Sequence, residues 1–218
     1  MQLVPAETSL VVAGAWNPAI LTPEWVLRHG LNRPAGQPEP IQVYVPAGTG
    51  LVFDFPRYVL PEFSYVVRPD TLIMTPSQQT ADRLDVLEDA AAAMLEHLRH
   101  TPISGIGHNF EYRDADPSPD QLENFTRSRQ DVSDIMPEGW NAASTVVASA
   151  FKKADESVIT TITRQFDAGT VSIKFNFHHP IPNVEQAVQI LRGQNNFARM
   201  AANFELARRL VTNLYGGE

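Results

Sequence analysis

Short stretches of the chain alternate between hydrophobic and polar residues, and this period of two predicts half-buried β-strands. The predicted strands cover residues 9–15, 41–45, 51–55, 63–68, 71–75, 103–113, 144–152, 157–166 and 170–178. Turn formers separate neighbouring strands, for example Gly48 and Gly50 after the second strand and Gly169 before the last. Short connections of this kind predict antiparallel hairpins.

The hydrophobic period lengthens to 3.6 residues over residues 77–100, which predicts an amphipathic helix. Its apolar stripe consists of Leu84, Leu87, Ala91, Met94, Leu95 and Leu98. Its acidic residues, which we place mostly on the other faces, are Asp82, Asp85, Glu88, Asp89 and Glu96. This helix follows the first group of strands and is expected to cover them.

Capping residues predict the remaining helices. Thr22 can accept a hydrogen bond from the first turn of a short helix over residues 22–30. Asn183 can do the same for a helix that follows the last strand. Gly193 is expected to separate that helix from a long final helix over residues 195–215.

Together these elements predict an α+β fold with antiparallel β-meanders packed by amphipathic helices. The chain twice places a strand meander before a helix, and it lacks the strand–helix–strand alternation of a parallel sheet. We expect a single domain over residues 1–218, with two possible halves at 1–113 and 140–218. An acidic, proline-containing excursion over 114–139 would join them, with a short helix at 119–129.

Composition narrows the class of protein. The formal net charge is -8, which argues against a general nucleic-acid coat because phosphate binding depends on Lys and Arg. The chain contains no cysteine, so disulfides and thiolate metal sites are excluded. The first residues lack the basic region of a signal peptide, and the apolar run at 10–15 is too short to span a bilayer. We therefore expect a cytoplasmic protein without a membrane segment.

His108 is the first candidate for chemistry. Strand alternation places it on one face with Ile106, Phe110 and Tyr112, where it could be a buried acid–base group or a ligand. A hydrogen-bonded core histidine is the more common outcome on such a face. His178 and His179 end the last strand on opposite faces, so one of them could complete a site with His108 across the sheet, although a structural role at the strand end is favoured.

A second histidine pair lies at the end of the helix over 77–100. His97 and His100 are spaced i, i+3, which could give two ligands to a zinc ion. The favoured interpretation is structural, because cations stabilise a helix C-terminus and the sequence supplies no third ligand. No metal or cofactor is predicted.

The final helix is the candidate interaction surface. Phe197, Phe204 and Val211 recur at helical spacing, so this stripe must cover either its own sheet or another subunit. Arg208 and Arg209 belong to a polar, partly basic face that could contact an acidic partner. A solvated face is the simpler interpretation, and nucleic-acid binding is not favoured.

No phosphate-binding loop or nucleophile elbow is present in the sequence. We therefore expect a non-enzymatic protein-interaction or assembly subunit: a homo-oligomer or a component of a larger bacterial-type cytoplasmic complex. The meanders backed by long helices resemble SecB-like chaperone subunits in architecture, and this resemblance implies a chaperone-like role without indicating site residues. The alternative is an enzyme or small-molecule binder with a site around His108.

Overall fold

A computed structural model of the chain describes residues 1–34, 39–45, 55–126, 136–152 and 157–215. Within these ranges ten strands form one sheet in which every pairing is antiparallel. The strands are β1 (Gln2–Leu3), β2 (Ser9–Gly14), β3 (Gln42–Tyr44), β4 (Arg57–Val59), β5 (Phe63–Arg68), β6 (Thr71–Pro76), β7 (Ile103–Asp114), β8 (Ser144–Lys152), β9 (Ile159–Asp167) and β10 (Thr170–Pro180). The order across the sheet is β3-β4-β5-β6-β2-β7-β10-β9-β8, and β1 pairs with β7.

The described part of the chain also contains five α-helices and two short 3-10 helices, at Pro5–Glu7 and Gln194–Asn196. The α-helices are α1 (Pro23–His29), α2 (Ala81–His97), α3 (Pro119–Thr126), α4 (Val184–Leu191) and α5 (Met200–Tyr215). Helix α2 contacts β6, α4 and α5, while α4 and α5 both contact β7. The predicted α+β fold, with antiparallel strands and a long C-terminal helix, is confirmed. None of the described helices is both long enough and apolar enough to cross a membrane.

Strand β7 is the centre of the sheet. It pairs with β2 on one side and with β10 on the other, so strands from both predicted halves share one sheet. In this register His108 lies opposite Leu10 of β2 and opposite Phe177 of β10. The candidate histidine therefore sits in the middle of the molecule and not at an edge.

The two faces of the sheet differ as the alternation predicts. Ile106, His108, Phe110 and Tyr112 are all buried on the face that the helices cover. On the opposite face the same strands carry polar side chains, among them Asn109 of β7. An antiparallel sheet with one covered and one open face accounts for this pattern.

The ends of several elements match the predicted capping and turn residues. Thr22 accepts a hydrogen bond from the backbone N–H of Trp25, and Asn183 accepts one from Gln186. Ala168 and Gly169 both have positive φ angles, of 45° and 84°. Two such residues form the tight hairpin turn whose twist matches that of the flanking strands.

The predicted hairpin over 41–55 lies only partly within the described residues. Strand β3 is present, but its partner is β4, which the sequence analysis did not predict. The predicted turn at 46–50, and all but the last residue of the predicted strand at 51–55, lie outside the described residues.

The helix ends and the predicted excursion also differ from expectation. Helix α2 is shorter than predicted, and α5 begins at Met200 instead of residue 195. Gly193, Asn195 and Asn196 all have left-handed φ angles, which interrupts the helix before α5. In the described part of the predicted peripheral excursion, the ring of Phe125 is buried 4.8 Å from that of Tyr215.

Candidate functional site

Four polar side chains meet in the core between the sheet and the helices. Glu88 comes from α2, His108 from β7, His179 from β10 and Asn203 from α5. Glu88, His108 and His179 are each 0% exposed, and Asn203 is also buried. We call this group the buried polar cluster.

His108 is held from both sides of its ring. Its Nδ1 lies 2.9 Å from Nδ2 of Asn203, and its Nε2 lies 3.2 Å from Oε1 of Glu88. The first contact is a hydrogen bond that ties β7 to α5. The second is an ion-pair distance without hydrogen-bond alignment. With the Asn203 amide donating, the proton of a neutral His108 ring is on Nε2, towards the carboxylate.

Arg199 holds the other oxygen of the Glu88 carboxylate. Its Nε donates to Oε2 of Glu88 over 3.0 Å, and a terminal nitrogen donates to Oδ1 of Asp89 over 3.0 Å. The same nitrogen donates to the backbone carbonyl of Asp85 over 2.9 Å. Burial lowers the pKa of the guanidinium, but the carboxylates of Glu88, Asp89 and Asp85 outweigh it and raise the pKa above its ordinary value. The segment before α5 is thus bound to α2 by a charged contact that reaches the core.

His179, in contrast to His108 and Glu88, has no polar contact among the described residues. Its ring centroid lies 5.6 Å from that of His108 and 6.1 Å from that of Phe197. Neither ring nitrogen finds a hydrogen-bond partner among the described residues. Burial, followed by the neighbouring His108 and His178, lowers the pKa of His179 to about 4. The side chain is therefore neutral at pH 7 and behaves as part of the apolar core.

The buried polar cluster brings His179 beside His108, as the alternative hypothesis allowed, and adds the acidic side chain of Glu88. Its members, however, have almost no contact with solvent, so a substrate would have to displace α2 or α5 to reach them. No group of three or more His, Asp or Glu side chains in the described ranges is arranged to hold a metal ion. The geometry supports a role in docking the helices on the sheet.

The other histidine candidates do not come together. His178 lies on the open face, where its Cε1 would be 2.6 Å from a Cβ at Gly105, so any larger residue at this position would force the ring to move. The predicted opposite orientation of His178 and His179 is therefore present. Helix α2 ends at His97, which leaves His100 beyond the helix and removes the shared helical face on which the zinc pair depended. The ring of His97 instead lies 4.5 Å from that of His29.

The stripe on the final helix covers the chain's own sheet. Phe204 lies 5.4 Å from Phe110 between ring centroids, Phe197 packs near His179, and Val211 is buried. Of the two alternatives that the sequence left open, these three residues pack on the chain's own sheet. Arg208 and Arg209 are exposed, and Arg208 pairs within its helix with Glu205 over 2.8 Å.

A polar cleft of about 390 Å³ crosses the open face of the sheet above β7 and β10. Asn176 donates to Asn109 over 2.6 Å, and Glu111 binds Arg113 at 2.7 Å and Lys174 at 3.4 Å. These groups bind one another on the floor of the cleft, and Glu7 also lines it.

Every residue of strand β8 except Thr145 is exposed. It pairs with β9 on one side over residues 144–152, and no described strand pairs with its other side. Val146 is 62% exposed on the open face, and Phe151 is 56% exposed on the helix face. A long, apolar edge strand of this kind is a template for pairing with another chain. The opposite edge of the sheet, β3, has only three residues, Gln42–Tyr44.

The sequence analysis did not identify three residues in or next to the buried polar cluster: Glu88, Asn203 and Arg199. Glu88 was placed outside the apolar stripe, yet its spacing of four from Leu84 and seven from Leu95 puts it within that stripe. Asn203 likewise stands three residues from Met200 and four from Ala207, both buried. A polar residue at such a position is a signal for a buried hydrogen bond. Arg199 gave no comparable signal, because its partners lie on a distant helix.

Comparison of the chain with protein-family models, with curated proteins and with solved structures finds no match.

Proposed function

We propose that this protein is a non-enzymatic assembly subunit that binds other polypeptide chains by strand pairing along the outer edge of β8. The observation that carries the proposal is the exposure of β8 on both faces while its outer edge has no described partner. Such an edge offers a row of backbone N–H and C=O groups, and the exposed side chains add specificity.

The composition of β8 supports pairing. Natural edge strands are usually protected by being short or by carrying charges, prolines or bulges. Strand β8 has nine residues, pairs with β9 in continuous register and carries one charge, on Lys152 at its end. Its apolar exposed residues would be buried by an added strand, which provides the driving force.

The buried polar cluster favours this function over the alternative of a catalytic or ligand site. A catalytic group must reach its substrate, and His108 and His179 are both 0% exposed. The cluster instead ties α2 and α5 to β7, and a preorganised sheet is a suitable template for an incoming strand. A cytoplasmic location is part of the proposal, since a chain without cysteine suits a reducing compartment.

The test is binding of a fluorescent peptide that copies residues 144–152, measured by anisotropy with the protein dilute. We expect the peptide to bind the natural chain. Ala148→Lys should weaken binding by about tenfold, because lysine on an open edge opposes strand addition. Thr161→Lys is the matched control, since Thr161 lies on the same sheet face one strand further in, opposite Ala150. Equal binding by all three proteins, or no binding at all, would refute the proposed function.

A further inference from the structure

We infer that the strand that pairs with β8 is β8 of a second copy of this chain, in a two-fold antiparallel dimer centred on Ala148. This inference rests on the proposed function, because it names the partner and the register at the same edge. The partner and the register both follow from the residues that would lie opposite one another when two copies of β8 pair.

The first argument is the match of side chains across the two-fold axis. With Ala148 opposite its own copy, Val146 faces Ala150 on the open side, and Thr145 faces Phe151 on the helix side. Residues directly opposite in antiparallel strands point to the same face, so like environments meet. An axis perpendicular to the sheet also keeps the helices of both copies on one face. The result is a continuous antiparallel sheet with ten described strands from each copy.

The second argument is charge. In this register Lys152 of one copy lies opposite Ser144 of the other, and Ser144 pairs with Asp167 of β9. Lys152 and Asp167 thus lie on the same face two strands apart, at roughly 10 Å between Cα atoms. A lysine side chain can cross the small serine to reach the carboxylate. Neither residue has an ion-pair partner within its own chain in the described ranges, so the dimer would form two equivalent new pairs.

Charge also distinguishes this register from its neighbour. A shift of two residues would place Lys152 opposite Val146, whose partner on β9 is Gln165. The lysine would then lie over the apolar side chain of Val146 and would no longer reach Asp167. In this two-fold arrangement the open edge of each copy is covered by the other copy. No further copy can add at this edge, so the assembly contains two subunits.

The absence of cysteine permits a direct test of the register. Opposed residues in antiparallel strands have Cα atoms about 4.5–5.5 Å apart, within the range that a disulfide spans. Ala148→Cys should therefore cross-link to a covalent dimer under mild oxidation. Ala150→Cys is the matched control, because its two copies would be four residues out of register, roughly 13 Å along the strand. Ala150→Cys should therefore cross-link only as fast as random collisions between dimers allow.

Sedimentation of the natural chain and two charge variants completes the experiment. We expect a dimer for the natural chain and roughly tenfold weaker dimerisation for Lys152→Glu, with recovery in Lys152→Glu/Asp167→Lys. A dimer that cross-links through residue 150 instead of 148 would overturn the register. A chain that stays monomeric at every concentration, yet binds the 144–152 peptide, would overturn the partner while leaving the proposed function intact. Failure of both dimerisation and peptide binding would remove the two proposals together.

Discussion

Replacement of Arg199 by methionine should lower the free energy of unfolding by about 3 kcal/mol at neutral pH. The guanidinium is the cation that compensates Glu88, whose carboxylate is 0% exposed. Its removal leaves a buried carboxylate without its cation, and such a loss is far more destabilising than the loss of a surface ion pair. Methionine retains much of the apolar stem of arginine, so packing changes little. Urea unfolding monitored by circular dichroism would measure the difference.

Arg192, which directly follows α4, provides a matched control. Arg192 binds Asp89 at 3.2 Å and Glu96 at 3.6 Å, but both carboxylates are nearly half exposed. We therefore expect Arg192→Met to destabilise by less than about 1 kcal/mol. In a Glu88→Gln background the effect of Arg199→Met should also fall, because no buried charge is left uncompensated. Equal losses for Arg199→Met and Arg192→Met would show that Glu88 does not depend on its arginine.

The alternation of hydrophobic and polar residues made it possible to predict the strands and the two faces of the sheet. Alternation alone placed His108 beside Ile106 and Phe110, and the structure confirms that face. Local capping chemistry was equally informative, since Thr22 and Asn183 act through residues only three positions away. Features that depend on neighbours in sequence could therefore be derived from one chain.

Features that depend on distant partners could not be derived in this way. The contact between Glu88 and Arg199 joins residues 111 positions apart. Periodicity shows that a strand has two faces, but it does not show which strand lies at an edge. Strand β8 therefore resembled the other strands in sequence, although Val146 and Val147 on successive positions meant that each face carried an apolar residue. Its exposure became evident only from its position at the end of the sheet.

The free energy of unfolding should decrease at acidic pH because of His179. The pKa of this side chain is lowered by burial to about 4 in the folded chain, against an ordinary value of 6.5. Between these two values the unfolded chain binds a proton that the folded chain does not, so stability falls as the pH falls. The contribution of His179 is present in full above pH 6.5 and is lost progressively towards pH 4. The loss amounts to about 3 kcal/mol.

Comparison with His179→Leu isolates this effect from the carboxylates that titrate in the same range. Leucine is apolar and similar in volume, and neither nitrogen of His179 has a hydrogen-bond partner among the described residues. The variant should therefore be at least as stable as the natural chain at pH 7.5, because it removes two unpaired buried polar atoms. Its advantage should grow by about 3 kcal/mol at pH 4, as measured by urea unfolding at each pH. Parallel pH profiles would mean that His179 takes up a proton in the folded protein, which requires a polar partner within the buried polar cluster.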